Sequence, residues 1–285
     1  MNPALWGLIT AIGWGCGDFI ARFTGRALGV PVALFGMLAV STVVFGAIVG
    51  IRDEPIVLDL AGLWLIGAFG FCAMAATGIV YWCLANGPIT VVAPLVGSYP
   101  VLNLLFAVVM GAVPSAVQWA AMAAVILGVV IVARCAANFE DSNGYSASFI
   151  KKIVAASLLS ALIFAITVVS AQEAGRVYGE LQSVWMARCV SLTIVAAILA
   201  WRREVPRVPR RWCFLVALQG LLDGGAYITL AASGAGPGAE IGAVVASAFC
   251  AVTVILGRAI LREAMTWAQW GGIALIVAGV GVLST

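Results

Sequence analysis

The sequence contains no histidine, and its charged residues are scarce. Only 15 basic and 12 acidic side chains are present in 285 residues, which is 9% of the chain, whereas about a quarter of a typical soluble domain is charged. So few charges could not cover the surface of a soluble protein of this length. The absence of histidine removes the commonest general base and the commonest metal ligand. The composition therefore excludes a soluble fold, and no loop is long enough to form a catalytic domain.

Cysteine is present but does not form a pattern that binds metal. The seven residues are odd in number, lack CxxC spacing and mostly fall inside apolar runs, where a thiol behaves as a small hydrophobic group. We therefore expect no metal site and no cofactor. The basic residues lie in loops beside apolar runs, which is typical of membrane orientation signals and predicts no nucleic-acid partner.

Long apolar runs dominate the chain, and hydrophobic residues make up 64% of it. A bilayer core needs about 20 apolar residues per helix, and these runs are continuous over that length, whereas the strands of a membrane barrel alternate in segments of about 10 residues. The sequence predicts an all-α, multi-pass protein of the cell (inner) membrane with ten transmembrane helices. The predicted spans cover residues 4–23, 30–51, 60–84, 89–110, 115–136, 151–173, 181–201, 212–233, 239–261 and 267–284.

A weak internal repeat divides these spans into two sets of five. Residues 10–26 align with residues 160–176 at an offset of 150, and Tyr81 aligns with Tyr227 at an offset of 146. Since each unit holds an odd number of spans, the second enters the membrane in the opposite direction, as in many transporters. The prediction is two inverted five-helix repeats, residues 1–137 and 151–285, joined by a polar linker, residues 138–150.

Several segments resemble a known family. The motif Trp14-Gly15-x-Gly17-Asp18-Phe19 and the stretch from Tyr81 to Pro94 resemble the EamA-like branch of the drug/metabolite transporter superfamily. The resemblance implies secondary transport, in the export direction, along a pathway surrounded by helices one, three, four, six, eight and nine. Members commonly carry a glycine–glutamate pair before helices five and ten. Here the second half keeps Glu263, but the first half has Gly111-Ala112.

Charges inside a span are costly and indicate function by default. Asp18 lies in span one between Trp14 and Arg22, each one helical turn away. This arrangement favours either a cavity that binds a proton or a cationic substrate, or an ion pair with Arg22 near the membrane surface.

Span eight carries a second carboxylate, Asp223, near its middle, with Gln219 and Tyr227 one turn to either side. Three polar groups on one helical face predict either a cavity wall or a hydrogen-bonded cluster that holds helices together. Arg188 in span seven is the expected counter-ion of Asp18 or Asp223. It could bind a substrate carboxylate or form a purely structural pair.

Span four contains two prolines, Pro94 and Pro100, close to Tyr99 and Asn103. Proline frees backbone carbonyls, which is tolerable in a membrane where the helix lines a cavity or where neighbours satisfy the carbonyls. The sequence thus predicts a site near mid-membrane between helices one, four and eight, with gating at both prolines and Glu263. The predicted substrate-binding or coupling residues are Trp14, Asp18, Tyr81, Tyr99, Asn103, Arg188, Gln219, Asp223 and Tyr227.

These observations together predict a secondary transporter that works by alternating access. The expected substrate is a small polar metabolite such as an amino acid or a drug-like solute. No nucleotide-binding motif is present, so a proton acting on Asp18 or Asp223 is the simplest coupling, with facilitated exchange left open. The expected partners are the solute and the lipid bilayer, and the chain is a monomer or a homodimer. A membrane-embedded enzyme or a non-transporting subunit of a membrane assembly is the alternative.

Basic residues predict the orientation of the chain. Apart from Arg188, twelve fall on one side of the membrane and two, Arg52 and Arg176, on the other, and basic loops stay in the cytoplasm. This places both termini outside, whereas the family resemblance implies both inside. Five arginines between Arg202 and Arg211 are hard to translocate, so we favour the charge-based orientation. The twelve are Arg22, Arg26, Arg134, Lys151, Lys152, Arg202, Arg203, Arg207, Arg210, Arg211, Arg258 and Arg262.

Overall fold

The protein is described by a computed structural model that covers residues 3–52, 56–57, 59–109, 111, 113–135, 146–233, 239–263 and 265–283. These residues form twelve helices and no strand, which confirms the predicted all-helical fold. In the first half they are α1 (Pro3–Leu28), α2 (Val30–Ile51), α3 (Leu63–Asn86), α4 (Ile89–Val96), α5 (Tyr99–Val109) and α6 (Ala116–Cys135). In the second half they are α7 (Ala147–Tyr178), α8 (Glu180–Trp201), α9 (Arg210–Ser233), α10 (Ala239–Ala246), α11 (Phe249–Leu261) and α12 (Trp267–Leu283).

Nine stretches of the described chain are long and apolar enough to cross a membrane. The tenth predicted span, α12, is a shorter apolar helix of 17 residues, which is at the lower limit of about 17 for a spanning helix. Large apolar side chains are exposed on the outside of the bundle, among them Val43, Phe71, Ile126 and Ile255. Such a surface is compatible with lipid, and the chain is a multi-pass membrane protein.

The fourth predicted span is broken into α4 and α5 at Gly97 and Ser98. Pro94 lies inside α4, and Pro100 is the second residue of α5, where the missing amide hydrogen costs no helical hydrogen bond. The hydroxyl of Ser98 donates to the Leu95 carbonyl at 2.7 Å. The two prolines therefore flank a real interruption of the helix.

The ninth predicted span is also broken, although it contains no proline. It divides into α10 and α11 at Ser247 and Ala248, and the Ser247 hydroxyl donates to the Val244 carbonyl at 2.7 Å. This serine contact matches that of Ser98 in the first half. This break was not predicted, because no proline marks it in the sequence.

Two helices extend beyond their predicted ends. Span one was expected to end at residue 23, but α1 continues to Leu28, and α7 runs from Ala147 to Tyr178 instead of from residue 151 to 173. Arg26 lies in the part of α1 beyond the predicted span and donates to the Ala85 carbonyl of α3 at 2.6 Å. Residues 138–145 of the predicted linker lie outside the described residues.

Helix α1 lies at the centre of the bundle and packs against α3, α9, α10 and α11. Its glycines permit this approach: a Cβ atom at Gly15 would lie 2.5 Å from the Val252 Cβ, far inside contact distance. Helix α3 packs against α7, where the Ser160 hydroxyl donates to the Ala76 carbonyl at 2.9 Å. Helices α6 and α12 form an outer pair. Elements of both halves thus surround α1.

We expect alkaline phosphatase fused to the C-terminus to be active, because this enzyme works only outside the cytoplasm. Green fluorescent protein fused to the C-terminus should show no fluorescence. The reason is the concentration of basic side chains at the end of the bundle where α1 and α8 finish, including Arg202, Arg207 and Arg211, which are all exposed. The same reporters placed between α8 and α9 are the control and should give the reverse result. A fluorescent C-terminal fusion would contradict this orientation.

Candidate functional site

A small cavity lies in the middle of the bundle, where α1, α3, α4, α7, α9 and α11 meet. Its volume is ≈ 20 Å³, which is space for about one water molecule and too little for a metabolite. The structure is therefore closed around this point. The lining residues are Trp14, Asp18, Thr77, Val80, Val96, Phe164, Asp223 and Phe249.

Asp223 forms a buried ion pair on one side of the cavity. Its Oδ2 atom lies 2.5 Å from Arg188 Nη2, and both side chains are almost fully buried. The Arg188 guanidinium also lies over the ring of Tyr227, 4.8 Å from its centroid, within the range of a cation–π contact. Arg188 is thus the counter-ion of Asp223, one of the two partners expected from the sequence.

Asp18 contrasts with Asp223, because no ion pair or hydrogen bond joins it to another described residue. The side chain is partly accessible from the cavity that it lines. Arg22, one turn further along α1, pairs with Glu263 at 3.3 Å instead of with Asp18. The alternative interpretation of Asp18 as the partner of Arg22 is therefore wrong. When both carboxylates are ionised, the cavity wall carries one uncompensated negative charge, at Asp18.

Aromatic residues make up three of the other six lining residues. The Trp14 ring meets Phe164 and Tyr227 edge-on, with centroids 5.0 Å apart in each case, and Phe249 at 6.0 Å. Tyr99 meets Phe164 at 5.1 Å. These T-shaped contacts stabilise the cluster, and they connect α1, α5, α7, α9 and α11 around the cavity.

The sequence reading missed Phe164 and Phe249, although the repeat could have identified them. Phe164 lies 150 residues after Trp14, which is the offset that aligns the first span with the sixth. Phe249 lies 150 residues after Tyr99, and these two residues begin α11 and α5. Four of the five rings in this cluster thus occupy two pairs of equivalent positions in the two halves.

The charged residues do not follow this symmetry. At the same offset of 150, the counterpart of Asp18 is Val168, and at the offset of 146 that relates Tyr81 to Tyr227, the counterpart of Asp223 is Thr77. The two halves therefore contribute similar rings but different polar groups. Each half supplies one of the two carboxylates.

The other predicted site residues lie around the cavity without lining it. Tyr99 is buried and donates to the Ala243 carbonyl of α10 at 2.5 Å, which joins the two halves. Tyr81 donates to the Met37 sulfur at 3.2 Å. Asn103 lies on α5, one turn after Tyr99, and is not part of the cavity wall.

Gln219 is fully buried one turn before Asp223. Its Oε1 atom accepts a hydrogen bond from the Thr24 hydroxyl of α1 at 2.8 Å. This contact ties α9 to α1 on the side of the cavity toward Arg26. Gln219 thus belongs to the packing that supports the site.

Glu263 closes the bundle at the end where α1 and α3 finish. Its carboxylate accepts hydrogen bonds from the first two amides of α4, Ile89 at 3.2 Å and Thr90 at 3.1 Å, which is a favourable place for a negative charge because of the helix dipole. Arg22, its ion-pair partner, donates to two carbonyls at the end of α3, at 3.1 and 2.6 Å. We call this group of contacts the Arg22–Glu263 latch.

The opposite end of the bundle carries a different ion pair, which lies within one helix. There, Arg176 pairs with Glu173 of the same helix at 2.5 Å, and both side chains are about half exposed. The first-half counterpart of Glu263 is Ala112, which lies outside the described residues and carries no charge. The first half therefore has no glutamate at the position equivalent to Glu263.

Comparison with known proteins identifies the family. The sequence profile of the EamA-like transporter family matches residues 1–134 and 151–285. A solved structure titled only "Crystal structure of protein" is similar in fold, with a TM-score of 0.68 at 17% identity over 98% of this chain and 95% of the other. No curated protein matches the sequence. The chain belongs to the EamA-like transporter family, whose members are membrane transporters of small solutes.

Proposed function

We propose that the protein is a secondary transporter that exports a small polar metabolite, such as an amino acid or a drug-like solute, by alternating access, with a proton coupled at Asp18. The observation that carries the proposal is that Asp18, in a closed cavity between the two halves, has no ion pair or hydrogen bond with another described residue. An uncompensated charge is costly in such a place. A proton or a positively charged solute that binds there would compensate the negative charge of Asp18.

Alternating access needs walls that can move, and two walls of the cavity are broken helices. Val96 ends α4 beside the first break, and Phe249 begins α11 beside the second. Discontinuous helices at mid-membrane are typical of transporter binding sites. We propose that the breaks act as hinges and that Pro94 and Pro100 fix the position of the first one.

The Arg22–Glu263 latch is suited to gate one end of the pathway. Glu263 belongs to the second half of the chain, whereas Arg22 and the start of α4 belong to the first half. Opening that end separates Arg22 from Glu263 and exposes their charges, which are almost buried in the closed bundle. The latch therefore favours the state that is closed on this side.

Replacing Asp18 with asparagine should abolish solute flux driven by a pH gradient, because an amide cannot bind and release a proton. The measurement is uptake of isotope-labelled amino acids, sugars and nucleosides into vesicles, with and without the gradient. Asp18→Glu should keep part of the flux. The control is Glu173→Gln, which removes a half-exposed carboxylate away from the cavity and should transport normally.

Full gradient-driven flux in Asp18→Asn, at normal protein levels, would exclude a proton at this carboxylate. Turnover of a solute without its passage into the vesicles would contradict transport itself and indicate a membrane-embedded enzyme.

Replacing Glu263 with glutamine should loosen the end of the bundle that the latch closes. A charge-assisted hydrogen bond contributes about 1.5–3 kcal/mol, so opening should become about tenfold or more easier. The reporter is Cys83, a fully buried residue in the last turn of α3, kept as the single cysteine and labelled with a maleimide. We expect faster labelling of Cys83 in Glu263→Gln.

Glu204→Gln is the matched control, since it removes an exposed carboxylate at the same end, where Glu204 contacts Arg202 at 3.7 Å. It should leave the labelling rate unchanged. Equal labelling of Cys83 in both variants would show that the Arg22–Glu263 pair does not gate the pathway.

A further inference from the structure

A basic segment, residues 202–211, connects α8 to α9. It contains five arginines and a single acidic residue, Glu204, and all five arginine side chains are exposed. Arg202 pairs with Glu204 at 3.7 Å. No ion pair or hydrogen bond joins the side chains of the other four arginines to a described residue. These four are Arg203, Arg207, Arg210 and Arg211. A surface that leaves four positive charges unpaired is suited to an anionic partner.

Some of the other basic side chains at this end of the bundle are held by the protein itself. Arg22 belongs to the Arg22–Glu263 latch, and Arg26 donates to a carbonyl of α3. The ammonium group of Lys152 lies 5.2 Å from the centroid of the Trp82 ring, which is a cation–π distance. The basic segment therefore differs from its surroundings, because it concentrates charge that the fold does not use.

Two of the four unpaired arginines occupy an unfavourable place in α9. Arg210 and Arg211 are the first two residues of this helix, and no acidic residue lies in its first turn. The dipole of a helix disfavours cations at its N-terminus. The charges of these two side chains therefore oppose the formation of the helix instead of supporting it.

The basic segment is held close to the membrane surface. It joins the ends of two membrane-spanning helices through only eight residues, 202–209. A chain of eight residues that runs out and back can rise by at most about 14 Å. Val208 also packs beside α2, since a Cβ atom at Gly36 would lie 3.5 Å from the Val208 Cγ2 atom. The arginines thus stay within about two Debye lengths of the lipid headgroups, at about 8 Å each in physiological salt.

Exposed apolar side chains flank the arginines. Trp201, Val205 and Phe214 are 85%, 69% and 73% exposed. Tryptophan is typical of the headgroup level of a membrane, and large apolar side chains beside basic ones are typical of a surface that enters the interface of a bilayer. A soluble anion would cover the arginines and leave these side chains in water. A phospholipid covers both, because it carries a phosphate and acyl chains.

The equivalent segment of the first half has the opposite composition. At the offset of 150, residues 52–61 correspond to residues 202–211, and they contain three acidic residues and one arginine. This segment follows α2, whose end lies beside the end of α7, across the bundle from the basic segment. A connection of this kind between two spans therefore does not itself require basic residues.

From these observations we infer that the basic segment binds the headgroups of anionic phospholipids, whose phosphate groups pair with the four unpaired arginines. Each basic residue close to an anionic leaflet strengthens the association by roughly fivefold. Arginine is suited to this contact, since its planar guanidinium can donate two hydrogen bonds to one phosphate group. The inference does not depend on the proposed transport.

Fluorescence quenching at Cys213 measures this binding locally. Cys213 is exposed and lies two residues after Arg211, so an uncharged dye on a chain that keeps only this cysteine reports on the lipids beside the basic segment. The chain is reconstituted in phosphatidylcholine vesicles that contain a small fraction of doxyl-labelled lipid. The labelled lipid is either phosphatidylglycerol or phosphatidylcholine with the same acyl chains. We expect labelled phosphatidylglycerol to be enriched beside the dye by at least about fivefold. This enrichment should disappear at about 1 M salt, where the Debye length is about 3 Å.

Charge variants separate the basic segment from the rest of this end of the bundle. The fourfold variant Arg203→Gln/Arg207→Gln/Arg210→Gln/Arg211→Gln should lower the enrichment by at least about fivefold, whereas the four matching lysine substitutions should keep most of it. Lys151→Gln/Lys152→Gln is the control, since it removes two positive charges at the start of α7, and it should keep the enrichment.

The glutamine variant should keep its orientation in the membrane. Eight of the twelve basic residues at this end remain in it, and basic loops set the orientation. The C-terminal alkaline phosphatase fusion verifies this for the variant, so that a loss of enrichment reports on the lost charges and not on an inverted chain.

Equal quenching by the two labelled lipids in the unchanged chain would overturn the inference. Full enrichment of phosphatidylglycerol in the fourfold glutamine variant would do the same. Inorganic phosphate separates a membrane partner from a soluble one. Added at constant ionic strength, it should leave the enrichment unchanged. If it abolishes the enrichment, the segment binds free phosphate ions instead of the membrane, and the inference is wrong.

Discussion

A charge that lies inside a bundle of membrane helices has to be balanced, because neither lipid nor an apolar protein interior can solvate it. The bundle balances Arg188 with Asp223 at 2.5 Å and Arg22 with Glu263 at 3.3 Å. Asp18 is treated differently, since it faces a cavity and has no partner among the described residues. The position of this one carboxylate is the reason why we place the proposed binding site at the centre of the bundle.

The two halves contribute a symmetric frame and an asymmetric set of charges. Trp14 and Phe164 occupy equivalent positions, as do Tyr99 and Phe249, and their rings meet around the cavity. We propose that this frame opens toward either side of the membrane in turn. The carboxylates and the Arg22–Glu263 latch do not follow this symmetry.

Much of the fold could be predicted from the sequence, because a membrane helix needs a long apolar run and few charges. The sequence predicted that Arg188 pairs with either Asp18 or Asp223. It could not distinguish the two, because the choice depends on how α8 and α9 pack. The break at Ser247 had no proline to announce it. Glu263 contacts the start of α4, which lies more than 170 positions earlier in the chain. Periodicity within a helix cannot predict such a contact.

The central claim is that Asp18 is the group that exchanges a proton for a ligand. Infrared difference spectroscopy of the chain in vesicles, recorded before and after addition of a solute that the vesicle assay shows to be transported, observes this carboxyl directly. The account predicts that a carboxylic-acid C=O band disappears, that a carboxylate band replaces it, and that both changes are absent in Asp18→Asn. An unchanged carboxyl spectrum when that solute binds, or the same difference bands in Asp18→Asn, would contradict it.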